Sequence, residues 1–423
     1  MPPDRPNKQR PYERSAMSEQ LNRRPALEER DQIAIQLKLQ EEMERSKIDA
    51  LIVTEASAIY YATGHNSIMQ TRANTAGYTI AIVPAKGACT IICPDFEFQI
   101  AQNLADVEVL AQRTGIYIDH YSDLGIEGSH AQRPATVGAT QGFVFALDLA
   151  RSSKANCVIG IQRSLLTPAA LSYLEANAGG ATFVDCAALL ARVRAIKTPW
   201  EVEVLRTGAQ MCERVMNATG RELREGMTEG ELMQLYAINC YKEGPGVTGL
   251  SDCHSFGTLF SPAVVPRDVR LKKNDLVRFD TGPEYLGYIS DIARVFCLGR
   301  PSDEARRIYD ALAAGYRHAF GMIGPGVRLA DVFKETQEIV RRNGLPDYNR
   351  GHVGHSIGCY KLSEELPYIS PGSDAVFEVG MVMALETPYN SPRFGGLVPE
   401  DNFVITPNGY EMFTRDPLQI VEV

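Results

Sequence analysis

The sequence has no Cys-x-x-Cys pair and no evenly spaced cysteine framework; its nine cysteines are scattered from Cys89 to Cys359. That pattern excludes a small disulfide scaffold and predicts a reducing, cytoplasmic compartment. Long apolar runs are also missing. YTIAIV at Tyr78–Val83 is far short of the roughly 18 residues of a membrane helix, and MPPDRPNKQRPYERSAMSEQ at the start has no apolar signal core, so neither export nor a membrane span is expected. Positive charge is not in excess. The net charge of -9 disfavours a nucleic-acid backbone or an anionic membrane as the main partner. No phosphate-binding glycine loop, internal repeat or low-complexity block stands out.

What is present is an ordinary globular composition, 44% hydrophobic and 22% charged, over 423 residues. Single cores stop growing near roughly 250–300 residues, so two or three domains are expected. Residues 1–25 are polar, with Pro2, Pro3, Pro6 and Pro11, and read as a disordered tail in which Met17 offers an alternative start. From 26 to 191, helix-like segments such as Glu28–Lys47 and Pro168–Ala178 alternate with IDALIVT, NCVIGIQ and a hairpin turning at Lys86-Gly87. This predicts an α/β domain. A boundary falls near Arg192–Pro199, where Thr198, Pro199 and Glu201 form a helix-start capping box; Thr228 with Glu231 forms another, and Ser302 caps a third helix. A fourth runs through GVRLADVFKETQEIVRRNG to Gly344. Apolar strands between and after these helices make residues 192–423 an α+β domain with a largely antiparallel sheet.

Carboxylates occupy the ends of those strands. Asp280 and Asp291 lie in RFDTGPEYLGYISDIARVF, where antiparallel pairing would bring both to one face. Glu386 ends GMVMALET, Glu400 begins EDNFVIT, and His355 sits in GHVGHSIG. Singly, each is an ordinary solvated or backbone-satisfied group. Together on one sheet face they repel unless protonated or bridged by cations, and an oxygen-rich set with one imidazole suits Mn²⁺, Fe²⁺, Co²⁺ or Zn²⁺.

The order Asp280, Asp291, His355, Glu386, Glu400 resembles that of the pita-bread metalloenzymes: methionine aminopeptidase, aminopeptidase P, prolidase and creatinase. FDTGPEYLGYISDIAR, GHSIG, GMVMALETP and PEDNFVITPNGYE carry the likeness, which covers 192–414, and AIYYATGHNS resembles the N-terminal domain of the creatinase and prolidase branch. The resemblance implies a creatinase-like α/β N-terminal domain followed by an α+β pita-bread catalytic domain. It also implies two divalent metal ions, Mn²⁺ foremost, with Asp280 chelating one, Asp291 and Glu400 bridging, and His355 and Glu386 completing the other. A homodimer is expected, acting on a small-molecule or dipeptide substrate by hydrolysis of a C–N bond.

Around the ligands the sequence departs from the peptidases. Their histidine seventeen residues before the first metal Asp is here Ala263, the one seven residues after the metal His is Leu362, and the Arg two residues before the terminal Glu is Val398. Retained ligands with altered surroundings point to kept metal chemistry and a changed substrate. His352, His254 and Glu364 are the candidate catalytic residues, and Tyr288, Tyr389, Lys361 and Arg72 the candidate substrate contacts. Arg294 is expected to steady a ligand carboxylate. His65 and Tyr61 share the N-terminal domain with Arg72, which in this branch often closes a partner subunit's site. A dimethylsulfoniopropionate-lyase-like elimination, with Glu364 or Glu365 as base, is the alternative reaction. A binding protein that uses the fold without turnover is the third reading.

Overall fold

The computed structural model describes residues 24–73, 77–104, 106–112, 140–152, 154, 156–250, 254–261, 265–359 and 364–423. In the N-terminal half, β1 (Ala50–Val53), β2 (Ile80–Pro84), β3 (Cys89–Pro94), β4 (Val107–Gln112), β5 (Val158–Ile161) and β6 (Thr182–Asp185) form a mixed sheet ordered β4-β3-β2-β1-β5-β6. The hairpin joining β2 to β3 turns through Gly87 at a φ of 95°, a conformation glycine adopts without strain. The chain enters this half through α1 (Gln32–Ser46), α2 (Ala56–Thr63) and α3 (Ile68–Ala73), and leaves it through α4 (Ala187–Ala195).

Both expected capping boxes are formed. Thr198 Oγ1 accepts from the Glu201 N–H at the start of α5 (Pro199–Gly220), and Thr228 does the same for Glu231 in α6 (Glu229–Lys242). Ser302 caps α7 (Asp303–Met322), and α8 (Leu329–Arg342) follows it. The second sheet is built from β8 (His254–Phe256), β9 (Leu276–Thr281), β12 (Ile292–Cys297), β13 (Gly354–Ser356), β14 (Glu365–Tyr368), β15 (Val382–Glu386) and β18 (Glu400–Thr406), in the order β14-β13-β15-β18-β12-β9-β8. Every pairing along that path is antiparallel. Between β9 and β12 the chain makes a side hairpin, β10 (Pro283–Tyr285) and β11 (Tyr288–Ile289), which pairs with β7 (Val247–Leu250). This excursion lets Asp280 and Asp291 return to neighbouring positions.

One apolar cluster joins the halves: Ile35, Leu39, Tyr61 and Val193 from the first pack with Trp200, Leu205, Tyr288 and Val382 from the second. Burial of such surface stabilises by roughly 25 cal/mol per Å², and the two halves share it. Among the described residues no helix is long and apolar enough to cross a membrane, and the eight described cysteines are free and buried.

Candidate metal centre

Cross-strand register assembles the site. Asp280 lies opposite Ala293, Ala293 opposite Glu400, and Glu400 opposite Glu386, so one row of side chains crosses β9, β12, β18 and β15. Side chains alternate faces along a strand. Asp291, two residues before Ala293, therefore joins that face, as does His355, whose partner Ala384 stands two residues before Glu386. Ala293 matters by its smallness: a methyl in the middle of the row leaves the space between Asp280 and Glu400 free. A glycine brings His355 in. At Gly354, φ 156°, a Cβ would meet the Ala384 carbonyl oxygen at 2.3 Å, so β13 approaches β15 closely only without one.

Ligand atoms of Asp291, His355 and Glu400 lie within 4.8 Å of one another, all three residues buried. His355 Nε2 is 3.8 Å from Asp291 Oδ2. Its Nδ1 lies 3.1 Å from the Ser356 carbonyl oxygen; a carbonyl only accepts, so Nδ1 carries the proton and Nε2 presents a lone pair to the carboxylates. Arg278 Nη1 is 3.2 Å from Asp280 Oδ2. Burial, then the Asp291 and Asp280 charges, hold the Glu400 carboxyl well above its ordinary range. The same causes push Glu386 up to about 8. Burial lowers His355 and His352.

Among the described residues, Glu400 Oε2 is buried without a hydrogen-bond partner. An unpaired buried carboxylate oxygen facing other carboxylates is costly as it stands and is the donor a cation satisfies. The residues thus fit divalent metal: the Asp291, His355 and Glu400 ligand atoms converge, with Asp280 and Glu386 on the same face, and the raised carboxyls mark a cluster that a cation would relieve.

His352 reaches the same place. Its Nδ1 is 3.4 Å from Glu386 Oε1 and its Nε2 is 3.7 Å from Glu364 Oε2, with the Tyr368 ring 5.1 Å away between centroids. Tyr389, half-buried on β16 (Tyr389–Ser391), stacks on Phe394 beside a groove that starts where the Glu386 strand ends. Lys361, Ala263 and Leu362 lie outside the described residues; Val398 is fully buried.

Other expectations are corrected. Tyr288 is 2% exposed, its hydroxyl donating to Glu201 Oε1 at 3.0 Å and its ring edge-on to Trp200, so it is core and not a substrate contact. His254 pairs in register with Phe279, which places it on the face away from Asp280. There its Nε2 is 3.4 Å from Glu229, a carboxylate also held by Arg267. Arg294 donates to the Glu400 backbone carbonyl and to Asp401 and Glu213, so it fixes the strand and no ligand carboxylate. Glu365 is spent in a buried ion pair with Arg194 at 2.5 Å. Tyr61 is core, and His65 is paired with Glu97 at 2.9 Å. Arg72 is exposed at the end of α3.

Asn402, which the sequence reading did not single out, pins Asp291: its Oδ1 accepts from the Asp291 N–H at 3.0 Å and its Nδ2 donates to the Asp291 carbonyl. Arg278 also went unnoticed. Both stand two residues from a ligand on a strand, a spacing that places them on the ligand face and was available as a signal.

The sequence matches the Creatinase/Prolidase N-terminal domain over residues 36–196 and Metallopeptidase family M24 over residues 203–407. An uncharacterized peptidase of Staphylococcus aureus is 26% identical over 380 residues, 89% of this chain and 98% of its own. Among solved structures, a recombinant prolidase from Thermococcus sibiricus superposes with a TM-score of 0.76 at 21% identity, covering 92% of this chain and 98% of that one. An X-Pro aminopeptidase from Thermotoga maritima gives 0.73 at 21%, covering 92% and 99%. With both sequence models in this order and the two-domain pita-bread fold beneath them, the chain belongs to the creatinase, aminopeptidase P and prolidase branch of the M24 metallopeptidases, the metallohydrolases of the Xaa-Pro type.

Proposed function

We propose that the protein is a dinuclear-metal-dependent hydrolase that cleaves a C–N bond in a small amide or an Xaa-Pro-like dipeptide. The observation that carries this reading is the row of Asp280, Glu400 and Glu386 with Asp291 and His355 on the same face and a buried, unpartnered Glu400 oxygen at its centre. Asp280 would hold one ion, Asp291 and Glu400 would bridge, and His355 and Glu386 would complete the second position; the oxygen-rich set favours Mn²⁺. When bound, a pair of divalent ions supplies a nucleophile from water at neutral pH and polarises the carbonyl under attack.

The chain's own residues do the rest. Arg278 and Asn402 hold Asp280 and Asp291 in place. His352, whose pKa burial lowers, stands beside Glu386 and would take up a proton and return it to the leaving nitrogen. Free buried cysteines suit a cytoplasmic protein, and Arg72, exposed at the end of α3, suits a homodimer in which each N-terminal half closes the partner's site. Sedimentation velocity tests that assembly. For the chemistry, metal analysis of the purified protein and turnover of a panel of Xaa-Pro dipeptides and small amides are the measurements. Two metal equivalents, with activity lost on chelation and restored by Mn²⁺, are expected; full activity in metal-free protein would overturn the reading.

One observation favours a second reading. Glu364, 3.7 Å from His352, is a carboxylate at the mouth of the site, positioned as the base for a lyase abstracting a proton next to a bound carboxylate. Glu364→Gln separates the two: a lyase loses turnover, whereas the hydrolase keeps most of it.

A further inference from the structure

Asp291 directly precedes β12 and Glu400 opens β18, so the spacing of these two carboxylates follows the spacing of those strands. The ladder between them is short. β12 and β18 register at one pair, Ala293 with Glu400, whereas β12 pairs with β9 at six positions and β18 with β15 at five. Farther along, β12 pairs instead with the C-terminal strand Ile420–Glu422, from Val295 to Cys297.

Side chains bridge the two strands where the ladder gives out. On the metal face Asn402 holds the Asp291 backbone. Behind the sheet, Arg294 Nη1 donates to the carbonyl oxygens of Ala293 and Glu400, both at 2.9 Å, so a single nitrogen joins the strands at their registered pair. Arg294 and Asp401 each follow a member of the metal row, and alternation puts both on the opposite face. There Arg294 Nη2 donates to Asp401 Oδ1 at 2.7 Å and to Glu213 Oε1 at 2.9 Å.

The clamp is itself held from several elements. The Tyr316 hydroxyl of α7 donates to Asp401 Oδ2 at 2.7 Å and the Thr414 hydroxyl to Oδ1, while Glu213 of α5 accepts from the Arg415 and Asp416 N–H groups. Arg294, Asp401 and Tyr316 are all buried. A guanidinium presents its donors in a rigid planar fork, whereas an ammonium has three donors on a flexible stem. Four acceptors on four residues suit the first and exceed the second.

We propose that Arg294 is a positioning residue for the metal centre: by clamping Ala293 to Glu400 from behind the sheet, it sets the separation of Asp291 and Glu400. It acts through the backbone and not through a ligand side chain. The proposal rests on the dinuclear reading and names the group that spaces its two bridging carboxylates.

Manganese titration of the chelator-treated full-length protein, followed by electron paramagnetic resonance, tests it. Magnetic coupling within a Mn²⁺ pair depends on the separation and the bridging groups, and a change in global stability alone does not alter it. The parent should take up two equivalents and show a coupled spectrum. Arg294→Lys should weaken the second equivalent by at least about tenfold, within the range that outer partners command, and give the spectrum of isolated Mn²⁺. Tyr316→Phe removes a donor from Asp401 but leaves both carbonyl bonds, so it should lower the melting temperature and keep the coupled pair. Parental affinity and coupling in Arg294→Lys overturn the proposal, as does a loss of affinity that follows the melting temperature alike in both variants. If Arg294→Lys does not fold, Arg294→Gln with Asp401→Asn, which removes the buried charge together with a partner, carries the same test. A parent that holds a single Mn²⁺ refutes the dinuclear reading instead, and the clamp then stands or falls on whether that ion binds more weakly in Arg294→Lys.

Discussion

At the residue scale the centre is a balance between repulsion and the cations that relieve it. Glu400→Gln or Asp291→Asn removes a carboxylate of the proposed metal pair, and the expected loss of turnover exceeds the roughly 10–100-fold that outer partners cost, with metal content by elemental analysis falling in parallel. Asn402→Ala, which frees the Asp291 backbone, should stay inside that 10–100-fold range and show as weaker Mn²⁺ binding. The unrelieved repulsion has its own signature. In the metal-free fold Glu386 keeps its proton up to about pH 8, whereas its ordinary value is 4.5. The folded chain then binds more protons than the unfolded one between those limits, so the contribution is full below the lower value and is lost as pH rises through the upper one. Metal-free parent should therefore lose melting temperature relative to metal-free Glu386→Gln between about pH 5 and about pH 8. A flat difference across that range in calorimetry would remove electrostatic strain from the account.

At the element scale the sheet register does what no single residue can. The row works because Ala293 is small, and Ala293→Leu is expected to place a side chain between Asp280 and Glu400. Overpacking of this kind costs about 1–3 kcal/mol, so the variant should fold, by near-unchanged circular dichroism, while its metal content drops to background. Much of this was legible in the sequence. The five proposed ligands stand in or beside apolar strands whose alternation sets their face, and the capping boxes at Thr198 and Thr228 mark where helices begin. What could not be read was anything that depended on a partner strand or a distant contact. His254 looked like a spare imidazole because the β8 to β9 register, which pairs it with Phe279, is set by tertiary packing. Tyr288 reads as a substrate contact because its partner Glu201 is 87 residues away, and Arg294, an odd three residues from Asp291, stands on the face away from that carboxylate.

At the scale of the whole molecule, the two halves are fastened behind the His355 strand. Arg194, at the end of α4, pairs with Glu365 of β14, side chains 9% and 6% exposed, and Lys197 Nζ donates to Ser356 Oγ at 2.7 Å, next to His355. Tyr60 of α2 donates to the Leu286 carbonyl between β10 and β11, and the shared apolar cluster lies beneath these contacts. Taking one partner from a buried pair costs about 3–5 kcal/mol, because the charge left behind has no water to solvate it. Arg194→Met should therefore destabilise by that amount in urea titration, and Arg194→Met with Glu365→Gln should recover most of it. Because the pair spans the halves, the loss has to appear in a single transition followed identically by Trp200 fluorescence and by far-ultraviolet circular dichroism. Two separate transitions, with only one of them moved by Arg194→Met, would show that the halves fold independently and that the cluster between them does not couple the N-terminal half to the metal centre.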